Sequence, residues 1–224
     1  RWFESYGEVE YPIINTGLSD VFQRYYSAWI ADRGDDNVLL MTGEPGIGKK
    51  SAVKRFCKEI AAGSQEVRIS MLDIPARTLD ANTLFGLVGE QIGVDLADGP
   101  VALANANEAL EPTVLVLNNA ENLFLADVGA LDAWQALLSL TNARAGNLFW
   151  MIVMNNQSWA YLCNVFGRNY QMRNVVRVKR WTQAEIRSLI LSRNQQSGYR
   201  LRYDDVLMDT RAPANNSLRN AEQR

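Results

Sequence analysis

The stretch Gly43-Glu44-Pro45-Gly46-Ile47-Gly48-Lys49-Lys50-Ser51 constrains the fold of this chain more than any other. An apolar run, Val38-Leu39-Leu40-Met41, leads into it, and a helical pattern from Ala52 to Ile60 leads out. Strand, glycine-rich loop and helix in that order form the phosphate-binding pattern G-x-x-x-x-G-K-[ST]. The glycines carry no Cβ, so successive backbone N–H groups turn inward on a phosphate. The helix that follows aims its positive end at the same point. Lys49 is the long cation that such a loop directs at the outer phosphates. A plain turn between a strand and a helix is the other reading of these residues.

One position departs from the pattern. After the lysine the motif asks for a hydroxyl, which ligates Mg²⁺, and here stands Lys50. An ammonium group has no lone pair for a metal, and its charge repels one. Ser51 lies about 100° further round the helix and is a poor substitute. Phosphate recognition is therefore expected, and ordinary Mg²⁺ handling is not.

The rest of the chain alternates. Leu18 to Ile30 has helical spacing, with Thr16 or Ser19 as cap. Asn37–Thr42 reads as the first strand and Val67–Ile74 as the second, with Val67, Ile69 and Met71 on one face and Pro75 as its end. Helices follow at Leu79–Val94 and Val101–Leu110. Thr113–Leu117 is apolar throughout, as a parallel strand buried on both faces reads. A helix at Leu131–Thr141, a strand at Leu148–Met154, a short helix at Trp159–Phe166 and a strand at Val175–Val178 come next. Thr182 with Glu185 forms a capping box for a helix at Gln183–Gln196, stopped by Gly198. This alternation predicts an α/β fold: a parallel five-stranded sheet between two layers of helices. The expected divisions are residues 1–17 as an irregular lead, 18–180 as the core domain, and 181–224 as the start of a helical lid with a polar, truncated tail.

The third strand runs into Leu117-Asn118-Asn119-Ala120-Glu121-Asn122-Leu123. A strand beside a phosphate loop commonly ends in a carboxylate that holds Mg²⁺ through water. Asn118 and Asn119 stand there instead. Asparagine can hydrogen-bond a water but carries no charge, so it neither anchors the ion nor serves as a general base. Glu121 is the nearest carboxylate, either a partial replacement for the base or a solvated residue at a helix start. The metal-handling residues are thus lost in two places at once, by nature or by design, and no residue is assigned to a metal.

Composition narrows the function classes. A net charge of -2 argues against a broad basic surface for nucleic acid. Arg173, Arg177, Lys179 and Arg180 make the only dense basic cluster, a nucleic-acid patch or a solvated strand edge. Without histidine, and with only Cys57 and Cys163 in apolar surroundings, a zinc site is not expected and both thiols read as free and buried, which suits a reducing, cytoplasmic setting. The longest apolar run, Leu148–Met154, is far short of the roughly 20 residues of a membrane span. No signal peptide is visible, and a first residue of Arg1 reads as a fragment of a longer protein.

From Ile13 to Gly198 the pattern resembles the AAA+ superfamily of P-loop NTPases, and within it the STAND and origin-recognition-like ATPases. Gly43 to Lys49 is similar to their Walker A motif, and Val114 to Leu123 to a Walker B whose acids are replaced. The resemblance implies ATP or ADP as ligand, held by Gly43, Glu44, Pro45, Gly46, Ile47, Gly48, Lys49, Lys50 and Ser51. It places the Walker B functions at Asn118, Asn119 and Glu121. It implies that the fourth strand lies between the first and third, bringing Asn155 to the γ-phosphate as a sensor residue. It implies an arginine finger at Arg168 or Arg173, an adenine-contacting loop near Ile13–Gly17, and a junction to the lid at Val176–Ile186. Self-association, or contact with other domains of a longer chain, is the implied partnership. Three functions remain open: a nucleotide-dependent switch or assembly module with little hydrolysis, an active ATPase motor or loader, and a nucleotide-free scaffold in which Lys50 is a counter-charge to phosphate or to Glu121.

Overall fold

The computed structural model describes residues 16–33, 37–63, 67–125, 131–143, 145–166, 172 and 174–197. Five strands, β1 (Val38–Gly43), β2 (Arg68–Asp73), β3 (Thr113–Asn118), β4 (Leu148–Asn155) and β5 (Val175–Arg177), form one parallel sheet in the order β2-β3-β4-β1-β5. The fourth strand does lie between the first and third. Helices α1 (Thr16–Asp32), α2 (Lys49–Gly63), α3 (Ala81–Ile92), α4 (Pro100–Ala106), α5 (Asp132–Thr141) and α6 (Asn156–Phe166) connect the strands, with a single 3₁₀ turn at Ala120–Leu123.

Alternation along the strands sends successive side chains into two cores. On one face Leu40, Leu115, Leu117, Trp150, Ile152 and Met154 pack with Leu84 and Val88 of α3 and Trp134 and Leu137 of α5. On the other, Leu39, Met41, Val114, Val116, Phe149, Met151 and Val153 pack with Phe22 and Trp29 of α1 and Phe56 and Ile60 of α2. β3 is buried along its whole length, as its unbroken apolar run requires. The second core is strongly aromatic: Phe22 lies 5.3 Å from Phe56, and Trp29 5.4 Å from Phe149. Each such ring contributes roughly 1.5–3 kcal/mol on burial.

The chain divides into two compact units, Asn15–Trp181 and a second one made of residues 1–14 and 182–224. Within the second unit, α7 (Gln183–Ser197) begins with the expected capping box: Thr182 N donates to Glu185 Oε2 at 2.6 Å, and Glu185 N donates to Thr182 Oγ1 at 3.2 Å. Gly198 lies outside the described residues. Among those residues no helix is long and apolar enough to cross a membrane.

Several boundaries move from expectation for local reasons. β1 begins at Val38 rather than Asn37, whose side-chain amide donates to the carbonyls of Ala145 and Leu148. α3 is shorter than expected: Asp80 caps it through Thr83 N, and Gly93 ends it in a left-handed conformation. α4 starts at Pro100, a residue suited to a first turn, and ends at Ala106. α6 starts at Asn156, because the Asn155 carboxamide accepts from Ser158 N. Cys57 is buried, which pushes its thiol up to about 11, whereas Cys163 is only half-buried.

Candidate functional site

The carboxyl ends of β1, β3 and β4 meet the loop between β1 and α2. In the register β1 ends with Gly43 opposite Asn155 of β4, and β2 ends with Asp73 opposite Asn118 of β3. The motif residues and the strand-end residues are thereby brought to one edge of the sheet.

The loop has the backbone that a phosphate cradle needs. Gly46 and Gly48 have φ of 77° and 96°, in the left-handed region where a Cβ is strained. At Gly43 a Cβ would stand 3.1 Å from Val178 Cβ and 3.2 Å from Ile47 Cγ2. A larger residue there would crowd the chain leaving β5, which would have to shift by a few tenths of an ångström. That chain also braces the loop from outside. Trp181 Nε1 donates to the Ile47 carbonyl at 3.0 Å, and Arg180 pairs with the Glu44 carboxylate at 2.6 Å. The Arg180 hydrogen bond holds the Glu44 carboxyl below its ordinary value, and Glu44 raises Arg180 in return. Arg180, grouped with the basic cluster in the sequence, is an exposed brace on the loop; Arg177 and Lys179 are exposed.

Lys49 is folded back on its own loop. Its Nζ donates to the carbonyls of Gly43 at 2.8 Å and Glu44 at 2.9 Å. Partial burial lowers its pKa, opposed by the charge of Glu121. Glu121 is half-buried in the 3₁₀ turn and accepts from Asn155 Nδ2 at 3.2 Å, so it is not a solvated residue at a helix start. Asn155 links that carboxylate to the first turn of α6.

Four buried oxygens beside this edge have no protein partner: Thr42 Oγ1, Asn118 Oδ1, Glu121 Oε2 and Asn156 Oδ1. Buried polar atoms are nearly always hydrogen-bonded, so a group of four at one strand edge suits a polar ligand. Thr42 and Asn156 were not singled out from the sequence; their signal is position, one residue before Gly43 and one after Asn155. Asn119 is half-buried, with φ of 57° at the start of the 3₁₀ turn.

Lys50 does not face Glu121. Its Nζ pairs with Asp73 Oδ1 at 3.0 Å, correcting the expectation of a counter-charge to Glu121. Asp73 was missed in the sequence, although it ends β2 beside the strand that ends in Asn118. Ser51 is exposed on α2. Among the described residues no group of three or more His, Cys, Asp or Glu side chains is placed to hold a metal ion. A neutral carboxamide at Asn118 and an ammonium at Lys50 do not fit Mg²⁺. Arg168, Arg173 and Ile13–Asn15 lie outside the described residues.

No protein-family model and no curated protein sequence matches the chain. Solved structures do. Cdc6p from Pyrobaculum aerophilum aligns with a TM-score of 0.62 at 16% identity, over 86% of this chain and 52% of that one. The ORC2 protein of Aeropyrum pernix in its ADP form aligns at 0.61 and 15% identity, over 87% of this chain and 55% of that one. The ORC1 protein of Aeropyrum pernix in complex with DNA aligns at 0.61 and 13% identity, over 92% of this chain and 54% of that one. The chain therefore spans about half the length of these structures. Its fold is that of an AAA+ P-loop NTPase domain.

Proposed function

We propose that this chain binds ATP or ADP at Gly43–Ser51 and serves as a nucleotide-dependent switch or assembly module of a larger protein, with hydrolysis weak or absent. The observation that carries the reading is the shaped cradle: Gly46 and Gly48 in left-handed backbone at the start of α2, with the Thr42 hydroxyl, which can donate to a phosphate oxygen, unpartnered beside it. The first-turn N–H groups of a helix have no acceptor within it and can take phosphate oxygens. The nucleotide supplies the negative charge and an energy-rich anhydride. Lys49 would leave the Gly43 and Glu44 carbonyls to meet the outer phosphates, and Asn155 would donate a hydrogen bond there while keeping Glu121 in place. Asn118 and Asn119 cannot take a proton from an attacking water. Glu121 is the carboxylate at that edge, and its hydrogen bond to Asn155 suits positioning of a water better than fast proton transfer.

Three points support the wider reading. A solved structure of the same fold is an ADP form, and another is a complex with DNA. Those chains are longer than this one. By analogy, nucleotide state would bias self-association or contact with further domains, and DNA is a partner to test rather than a deduction from this weakly acidic chain. A cytoplasmic setting and an arginine finger at Arg173 belong to the same proposal.

A nucleotide-free scaffold is the second reading. What favours it is that both loop cations already have internal partners, Lys49 the loop carbonyls and Lys50 the Asp73 carboxylate. Titration with a fluorescent ATP analogue, together with a phosphate-release assay, separates the three functions. Saturable binding with little turnover is expected. No binding at millimolar-scale nucleotide supports the scaffold, and rapid turnover supports the motor.

A further inference from the structure

Lys50 and Asn118 both lose metal-handling chemistry, and the structure gives these losses a common logic. In the register Asn118 lies opposite Asp73, and Asp73 is the group that holds Lys50. The three residues therefore share one edge of the sheet, at the start of α2. An ammonium in place of the missing hydroxyl brings one positive charge to this edge of the sheet. That is half the charge of a divalent ion, so one carboxylate fewer is needed to balance it. Asn118 is that missing carboxylate: it keeps the shape of an aspartate, is 3% exposed, and leaves Oδ1 without a protein partner. An aspartate at 118 would add a buried anion to the exposed Asp73, and both would compete with phosphate for Lys50.

Resting on the nucleotide-binding reading, we propose that Lys50 is a resident cation in place of Mg²⁺, so that this chain binds nucleoside polyphosphate without a divalent metal. Asp73 parks the ammonium between ligands. The pair is open to solvent, with side chains 46% and 66% exposed, and an ion pair so exposed is weak. Exchanging Asp73 for a phosphate oxygen therefore costs little, and the new partner carries more charge. Lys50 is on the first turn of α2, where a side chain also lies beside the helix's positive end, an unfavourable place for a lone cation. A bound polyphosphate relieves that repulsion. Asp73 is thus a competitor for Lys50 that phosphate displaces.

The test is titration of the intact chain with a ribose-labelled fluorescent ATP analogue in excess EDTA and in excess Mg²⁺. The native chain is expected to bind equally in both, within about twofold. Lys50→Thr should weaken binding in both conditions by about tenfold, the loss of one charge-assisted hydrogen bond to phosphate. Lys50→Arg should keep the metal independence. Lys50→Thr with Asn118→Asp should bind well in Mg²⁺ and poorly in EDTA. Asp73→Asn should bind as tightly as the native chain or tighter, and in both conditions. Circular dichroism checks the fold of each variant, and the lysine and aspartate are surface positions. Binding that needs Mg²⁺ in the native chain would overturn the inference and leave the nucleotide site standing. Undiminished binding of Lys50→Thr in EDTA would also overturn it. Absence of binding in both conditions would remove the nucleotide reading and this inference together.

Discussion

The two halves of the site contrast sharply. The loop half, Gly43 to Lys49, has Gly46 and Gly48 in left-handed backbone and Gly43 in tight contact with Val178, and is braced by Arg180 and Trp181. The other half, Lys50 with Asn118 and Asn119, offers an ammonium and two carboxamides, which do not suit Mg²⁺. A cradle-shaped loop beside residues that do not suit Mg²⁺ is the contrast on which the proposed nucleotide switch rests.

That contrast can be broken most severely at Lys49. Lys49→Ala should reduce nucleotide affinity by about a hundredfold or more, since a partly buried cation loses its phosphate partner. Unchanged affinity in the same fluorescence titration would place the ligand elsewhere. Gly48→Ala comes next. Trp181 Cζ2 is 3.7 Å from the new methyl, so there is room, and the cost is strain alone. About 1–2 kcal/mol of stability should be lost in urea unfolding. Binding should weaken as well, because the relaxed loop no longer turns its N–H groups inward.

Trp181→Phe probes the brace. It removes the indole N–H bond to the Ile47 carbonyl, worth about 1 kcal/mol, and should weaken binding severalfold with little loss of secondary structure. Arg180→Ala should have the smallest effect. Its ion pair with Glu44 is solvent-exposed, so the melting temperature should not move measurably at physiological salt. A large shift there would mean that the brace, rather than the glycines, shapes the cradle.

How much of this was readable in the chain differs by the range of the signal. The loop, the alternation and the Thr182–Glu185 capping box depend on residues within a few positions of one another, and all could be read. The strand order came through the resemblance rather than through the residues alone. Asp73 could not be read as Lys50's partner, because the pairing depends on β2 lying beside β3 with Asp73 opposite Asn118. Arg180 meets Glu44 across 136 positions of sequence, so it joined a basic cluster it does not serve. Glu121 was open between solvent and site, since only the packing of the 3₁₀ turn against Asn155 decides its burial. Cys163 sits in an apolar pattern yet is half-buried, because α6 turns Ser158 and Leu162 inward and leaves Cys163 off that face.

Hydrogen–deuterium exchange on the peptide covering residues 43–51, with and without ATP in EDTA, tests the central claim most directly. N–H groups that wrap a phosphate exchange more slowly once it is bound. Strong ATP-dependent protection of that peptide in the native chain, absent in Lys49→Ala, is the predicted result. Equal exchange with and without saturating nucleotide would contradict the account.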